Sequence, residues 1–183
     1  MNDNLRPILE ASYAKNKEAK KILENQNFKL DKGLSTKEAK VFVDKNGAPN
    51  IAVRGSKTAK DWLISDPLLA LGLSSIDPRQ KSTNKLIEKT KKKYGSDPNL
   101  FGHSLGGALV SNANTKGKIT TFNKGAGASD LFRKISSNQT DIRTSGDIVS
   151  ALSTTQRGKN KITLKNNNIL KAHGLINLKR KIK

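Results

Sequence analysis

The sequence predicts a single α/β domain, residues 1–183, with a mostly parallel central sheet flanked by helices. From residue 97 onward, β-rich runs alternate with segments of helical character, as in strands joined by crossover helices. A Gly-x-Ser-x-Gly pattern at 102–106 separates an apolar run from a small-residue segment, as expected where a strand turns sharply into a helix. The length suits one compact domain, and no repeat or long linker divides it.

The N-terminal part of the chain is expected to add helical structure and a hairpin to this sheet. Residues 1–35 are predicted to be a helical segment, because apolar side chains recur at helical spacing over 5–26. A Ser-Thr-Lys-Glu capping-box pattern at 35–38 predicts one further helical turn. Strands are then predicted at 41–43 and 50–53, joined through an Asn-Gly pair that favours a tight turn.

The segment after this hairpin has two interpretations. Its apolar run at 67–73 is too short to span a bilayer and is either buried core or a mobile lid that touches substrate or membrane. In the second case Trp62, Leu63 and Leu68 are the candidate substrate contacts. An Asp-Pro pair at 77–78 then predicts the start of a helix that ends near Tyr94.

The elbow pattern places one serine where a nucleophile is expected. A short strand at 100–101 precedes it, and Ser104 occupies its apex beside the start of a helix. Free N–H groups at a helix start favour developing negative charge, so the Leu105 N–H is predicted to be one oxyanion donor. Beyond the elbow, strands are predicted at 119–122, 141–143 and 161–164 and a short helix at 128–135, with a basic tail at 179–183.

A serine nucleophile needs a base, and the base needs an orienting carboxylate. The chain has two histidines. His103 directly precedes Ser104, so its side chain is expected to point away from the nucleophile and to pack or hydrogen-bond. His173, in a Gly-bounded segment after the last predicted strand, is therefore the predicted base.

Three carboxylates lie between the serine and this histidine. Asp130 is interpreted as the N-cap of the short helix. Asp147 follows a strand end, where parallel sheets gather their functional groups, and is the predicted acid. Asp141, within a predicted strand, remains the alternative.

Composition restricts the partners and the compartment. Zero cysteines exclude disulfides and thiolate metal sites. No 18-residue apolar run and no apolar leader occur, so neither a spanning helix nor a secretory signal is predicted; cytoplasmic synthesis, with peripheral membrane or particle association, is expected. A net charge of +20 either attracts an anionic membrane surface or nucleic acid or is a composition bias that aids solubility, and an aromatic content of only 4% argues against base stacking.

Four short segments resemble the fungal-type (class 3) lipases of the α/β-hydrolase superfamily, over about residues 40 to 178. They are Ile-Ala-Val-Arg-Gly-Ser at 51–56 with Asp61, Trp62 and Asp66; Gly-His-Ser-Leu-Gly-Gly at 102–107; Gly-Asp-Ile-Val at 146–149; and His173 with Gly174-Leu175. Ile148 stands where the family usually has proline. The chain is also shorter and more basic than secreted members, and it lacks their cysteines and signal.

The resemblance implies an α/β-hydrolase fold and hydrolysis of carboxylic esters, usually of lipids, through an acyl-enzyme. It implies a catalytic set of Ser104, Asp147 and His173, with no metal or cofactor. It also implies an oxyanion hole from Ser56, through its N–H and hydroxyl, and from the Leu105 N–H, with a lid after Ser56. The expected function is a lipase or phospholipase at an anionic membrane surface. The alternative is a weakly active or inactive lipase-like basic protein, as a particle component or nucleic-acid binder.

Overall fold

A computed structural model describes residues 4–56, 78–125, 134–158, 160–166 and 168–178. Within them a seven-stranded sheet forms from β1 (Lys29–Asp31), β2 (Ala39–Val43), β3 (Pro49–Val53), β4 (Asn99–His103), β5 (Ile119–Phe122), β6 (Gln139–Thr144) and β7 (Lys161–Leu164). Its strand order follows the chain order. The first three strands pair antiparallel, and β3 to β7 pair parallel, so the expected α/β fold with a mostly parallel sheet is confirmed.

Helices cover both faces of the sheet. They are α1 (Leu5–Tyr13), α2 (Asn16–Glu24), α3 (Pro78–Tyr94), α4 (Leu105–Ser111) and α5 (Ile169–Ala172), with 3₁₀ turns at Ala151–Thr155 and Leu175–Asn177. Helices α1 and α2 contribute to one apolar cluster, and α3 and α4 contribute to the other. Because successive strand residues face opposite sides, Phe42 and Phe101 join the first cluster while Val41 and Leu100 join the second. The two parallel crossovers that carry α3 and α4 lie on this second face, next to the elbow.

The N-terminal helical segment differs from its prediction in two places. The helix expected over 5–26 is broken between α1 and α2, where Ala14 and Lys15 have extended backbone with ψ of 156° and 155°. The break lets apolar residues of both helices reach the same cluster. A strand, β1, occupies part of the segment that was expected to be helical.

The helical turn predicted from the capping-box pattern is also wrong. Thr36 Oγ1, rather than Ser35, accepts the backbone N–H groups of Glu38 and Ala39, at 3.2 and 3.1 Å. Ser35 Oγ instead donates to the Asp31 carbonyl at 2.7 Å and accepts the Val41 N–H at 3.0 Å. The hydroxyls therefore shape a turn that leads into β2, because competing hydrogen bonds to nearby backbone are open to Ser and Thr.

The remaining described elements follow the sequence closely. The hairpin, α3 and strands β4 to β7 appear at the predicted positions within a few residues. The apolar run at 67–73 and the predicted helix at 128–135 lie mainly outside the described residues, as do Asp130 and the basic tail. No helix in the described ranges is both long and apolar enough to cross a bilayer.

Candidate active site

Ser104 forms a strained turn between β4 and α4. Its φ of 55° and ψ of −127° lie outside the regions that non-glycine residues normally occupy. Such a conformation costs on the order of 1–3 kcal/mol and persists only where surrounding bonds enforce it. Here the Ser104 N–H donates to the Phe122 carbonyl, and the Ser104 carbonyl accepts the N–H groups of Ala108 and Gly125, each at 3.2 Å. The Gly-x-Ser-x-Gly pattern thus lies at a sharp turn from a strand into a helix, as predicted.

Two glycines let the elbow close against the sheet. A Cβ on Gly102 would lie 2.4 Å from the Gly106 carbonyl oxygen. One on Gly106 would lie 2.2 Å from the Val53 carbonyl oxygen, at the end of the neighbouring strand β3. Real Cβ atoms do not approach this closely, so both glycines are required for the start of α4 to pack where it does. This packing brings the elbow beside the turn that follows β3.

Asp147 and His173 form a hydrogen-bonded pair. The distance between His173 Nδ1 and Asp147 Oδ1 is 3.0 Å, and the carboxylate also accepts the N–H groups of Val149 and Ser150. Burial on its own would raise the pKa of Asp147. The hydrogen bond and charge of His173, with the Ser150 hydrogen bonds, outweigh burial and hold that pKa below its ordinary value. Asp147 is thus an ionised acceptor that orients His173 with Nδ1–H as donor.

The second ring nitrogen of His173 is the one that a base would use. His173 Nε2 is buried, and among the described residues no group hydrogen-bonds to it. The histidine follows α5 and is fixed beside the elbow by its own backbone, since its carbonyl is 2.9 Å from His103 Nε2. Asn123 Nδ2 donates to the preceding Ala172 carbonyl at 2.8 Å. The structure therefore places an oriented imidazole next to the segment that carries Ser104.

Asp141, the alternative acid, has different partners. Its carboxylate accepts from Lys124 Nζ and Thr121 Oγ1, both at 2.6 Å, and from Gln139 Nε2 at 2.7 Å. Lys124 is 3% exposed and also donates to Gln156 Oε1 at 2.7 Å. Asp141 thus belongs to a buried ion pair beneath β5 and β6, and the geometry joins Asp147, not Asp141, to the histidine.

Both segments that carry the predicted oxyanion donors adjoin Ser104. Leu105 is the first residue of α4, directly after Ser104. A Cβ on Gly55 would lie 2.9 Å from Ser104 Cβ, so the turn that holds Gly55 and the half-buried Ser56 adjoins the serine. The other predicted contacts, Trp62, Leu63 and Leu68, lie outside the described residues.

Sequence reasoning missed one contributor to this site and one buried lysine outside it. Tyr13, interpreted only as part of an apolar helix face, hydrogen-bonds to His103 Nδ1 at 2.7 Å. The hydrogen-bonding role expected for His103 is present, but its partners come from positions 13 and 173, and local spacing carries no signal for such contacts. The buried Lys124 was also missed, because a lysine is normally expected at the surface.

The buried imidazole of His103 makes stability depend on acidity. Burial first, and then the neighbouring His173, lower the pKa of His103 from 6.5 to about 3. Between pH 3 and pH 6.5 the unfolded chain binds a proton at His103 that the folded chain does not. The contribution of a neutral His103 to the free energy of unfolding is therefore complete above pH 6.5 and is lost as the pH falls toward 3. In that pH range we expect protonation of His103 to lower the free energy of unfolding by about 1.4 kcal/mol for each pH unit of acidification.

Urea unfolding at several pH values from 3.5 to 6.5 measures this slope. His103→Gln removes the titrating group and should reduce the slope by about one proton, whatever its effect on stability at pH 7. An unchanged slope in this variant would show that His103 is accessible to protons in the folded protein.

The chain matches no protein-family model, and no curated protein matches it significantly. Among the described residues, no group of three or more His, Cys, Asp or Glu side chains could hold a metal ion. Function is therefore inferred from the serine, histidine and aspartate geometry itself.

Proposed function

We propose that this chain is a serine carboxylic-ester hydrolase of the lipase or phospholipase type, similar to the class 3 lipases of the α/β-hydrolase superfamily. The observation that carries the proposal is the strained Ser104 turn at the end of β4, with an Asp147-oriented histidine beside it. Strain at a single serine between a parallel strand and a helix has a cost that packing alone does not require. The proposal is further supported by an imidazole whose Nε2 has no hydrogen-bond partner among the described residues, Ser104 Oγ included, and which is therefore available as the base.

In the proposed reaction, Ser104 Oγ attacks the ester carbonyl carbon while His173 Nε2 takes its proton. The C–O bond to the alcohol then breaks, and the leaving oxygen receives that proton from His173. Water, activated by the same nitrogen, hydrolyses the acyl-enzyme and returns Ser104 to its free form. Asp147 keeps the Nδ1–H tautomer and stabilises the imidazolium, while the Leu105 N–H and Ser56 hold the oxyanion. These steps use only groups of the chain and water.

Charge and exposed apolar groups favour a lipid substrate at an anionic surface. The chain carries 35 Lys and Arg against 15 Asp and Glu, and a membrane rich in anionic lipid attracts such a protein. Two large apolar side chains are exposed near the candidate site: Ile148, directly after Asp147, is 61% exposed and Ile176, three residues after His173, is 65% exposed. Apolar groups at the edge that carries the site suit contact with acyl chains.

The test combines a serine-directed label with two substrates. We expect a fluorophosphonate to modify Ser104, as located by mass spectrometry, and to abolish hydrolysis of p-nitrophenyl butyrate. We expect fatty-acid release from phosphatidylglycerol vesicles to be faster than from phosphatidylcholine vesicles, with the difference reduced by added salt, because exposed charges are screened.

The outcomes separate chemistry from substrate. Hydrolysis of p-nitrophenyl butyrate together with equal rates on both kinds of vesicle would support esterase activity. It would contradict a preference for an anionic lipid surface. Absence of both labelling and hydrolysis, with salt-dependent binding to vesicles or DNA, would overturn the proposed chemistry and favour the alternative of a basic binding protein.

A further inference from the structure

Tyr13 and His103 connect three segments of the candidate site through hydrogen bonds. The Gly55 N–H donates to Tyr13 Oη at 2.8 Å, and Tyr13 Oη lies 2.7 Å from His103 Nδ1. His103 Nε2 lies 2.9 Å from the His173 carbonyl oxygen. The series therefore runs from the turn after β3, through the end of α1 and the residue before Ser104, to the backbone of the candidate base.

Chemistry fixes the direction of every bond in this series. A carbonyl oxygen only accepts, so His103 Nε2 carries its hydrogen. His103 is neutral at ordinary pH, since its pKa is lowered to about 3, first by burial, and Nδ1 is then an acceptor. Tyr13 must donate to Nδ1, while its oxygen accepts the Gly55 N–H. In this arrangement the Gly55 N–H, the Tyr13 hydroxyl, the His103 ring and the His173 carbonyl all have hydrogen-bond partners. The other neutral tautomer of His103 would not allow this.

Packing holds the series in place. The His103 ring stacks on Phe122 with centroids 5.8 Å apart and lies 4.9 Å from the His173 ring. Tyr13 approaches it edge-on at 5.8 Å. A Cβ on Gly55 would lie 2.7 Å from Tyr13 Oη, so the glycine lets the hydroxyl reach the turn. Burial, as the largest cause, raises the pKa of Tyr13 to about 12, which keeps its hydroxyl protonated.

We propose that Tyr13 and His103 are positioning residues for ester hydrolysis, which hold the Gly55-Ser56 turn and His173 in register on either side of Ser104. The proposal rests on the proposed function, since positioning has meaning only if these groups act on an ester. His103 fixes the backbone of the base, and Tyr13 fixes both His103 and the turn that carries a candidate oxyanion donor. Neither side chain takes part in proton transfer.

Helix α1 thereby gains a role that its packing does not explain. Its apolar residues Leu5, Ile8 and Leu9 anchor it against the sheet. Tyr13, at its C-terminal end, then projects a hydroxyl between two strand ends separated from it by 42 and 90 residues. Loosening this contact displaces the oxyanion donor and the base together, and a displacement of about 1 Å costs on the order of 100-fold in rate.

The hydrogen-bond series can be tested without any activity, because the chain has only two histidines. In protein labelled with ¹⁵N-histidine, we expect one imidazole to remain the neutral Nε2–H tautomer from pH 5 to 8. Tyr13→Phe should move the nitrogen resonances of this imidazole, whereas Tyr94→Phe should not. Tyr94 is the matched control, since its hydroxyl donates to Asp31 at 2.8 Å away from the site. Two Nδ1–H imidazoles, or protonation of His103 above pH 5, would overturn the series.

The positioning role is tested by kinetics on p-nitrophenyl butyrate. Tyr13→Phe should lower kcat by about 10- to 100-fold and change KM by less than about 2-fold, because binding is retained while alignment is lost. His103→Leu should lower kcat at least as far. His103→Gln should recover most of this loss, since its amide nitrogen can still donate to the His173 carbonyl. Tyr94→Phe should match the wild type.

The possible failures are distinguishable. A wild-type protein with no hydrolysis and no fluorophosphonate labelling contradicts the proposed function, and positioning falls with it, whatever the resonances show. An active wild type with an equally active Tyr13→Phe contradicts positioning alone. A loss of kcat in His103→Leu that His103→Gln does not recover would assign the effect to packing rather than to the hydrogen bond to His173.

Discussion

Replacing Ser104 by alanine is expected to lower kcat for p-nitrophenyl butyrate by a factor on the order of 10⁴ to 10⁶. The change removes the oxygen that forms the acyl-enzyme and leaves the oxyanion donors and the histidine in place. Residual hydrolysis should then show no burst of p-nitrophenol and no labelling by fluorophosphonate. Ser82→Ala, at an exposed position on α3, is the matched control and should retain the wild-type rate.

Stability measurements on position 104 test whether the turn is strained for chemistry. Alanine has to adopt the same φ of 55°, so Ser104→Ala should keep the free energy of unfolding within about 1 kcal/mol of the wild type. Glycine adopts positive φ without penalty, and Ser104→Gly should be more stable than Ser104→Ala by about 1 kcal/mol, as relief of strain exceeds the entropic cost of glycine. Full activity of Ser104→Ala would show that Ser104 is not the nucleophile. Equal stability of Ser104→Ala and Ser104→Gly would show that the turn is not strained.

Features with a short-range cause were predictable from the sequence. The elbow follows from two glycines and a serine at fixed spacing, because their steric needs are set within five residues. The Asn-Gly hairpin and the start of α3 at Pro78 have similarly local causes. Parallel strands place their carboxyl ends at one edge, so a serine after β4 and an aspartate after β6 were expected to share that edge.

Features with a long-range cause were not predictable. The break at Ala14 and Lys15 has no glycine or proline to mark it, and it arises because both helices pack on one cluster. Strand β1 has only three residues and exists through its pairing with β2. The contact of Tyr13 with His103 spans 90 residues. Tyr13 is its donor because burial, as the largest cause, keeps His103 neutral. Tertiary context decided each of these outcomes over local propensity.

The choice between two carboxylates was likewise open in the sequence. Asp141 and Asp147 are six positions apart, the first within a predicted strand and the second after its end, so position favours Asp147 and leaves Asp141 as an alternative. The difference is made by Lys124, which reaches Asp141 from the end of β5 and leaves Asp147 to accept from His173. Because the two aspartates have distinct partners, the same chemical change should have opposite consequences at the two positions.

Asp147→Asn is expected to lower kcat by about 10⁴-fold while the protein stays folded. An amide oxygen in the place of Oδ2 can still accept the Ser150 N–H, and an amide nitrogen in the place of Oδ1 can donate to His173 Nδ1. That hydrogen bond favours the tautomer with hydrogen on Nε2, which cannot take the serine proton. The imidazolium also loses its counter-charge. Stopped-flow or steady-state rates on p-nitrophenyl butyrate, with circular dichroism as a check of folding, measure the effect.

Asp141→Asn is the matched change, and it should destabilise the fold instead. Lys124, at 3% exposure, keeps its charge but loses the carboxylate of Asp141, and breaking a buried ion pair in this way costs about 3–5 kcal/mol. Lys124→Met combined with Asp141→Leu removes both charges and should restore most of that stability. Below the unfolding transition, kcat per folded molecule should stay near the wild-type value in both variants. If Asp141→Asn lost activity and Asp147→Asn retained it, Asp141 would be the carboxylate on which the histidine depends, and the pairing of His173 with Asp147 would have no catalytic meaning.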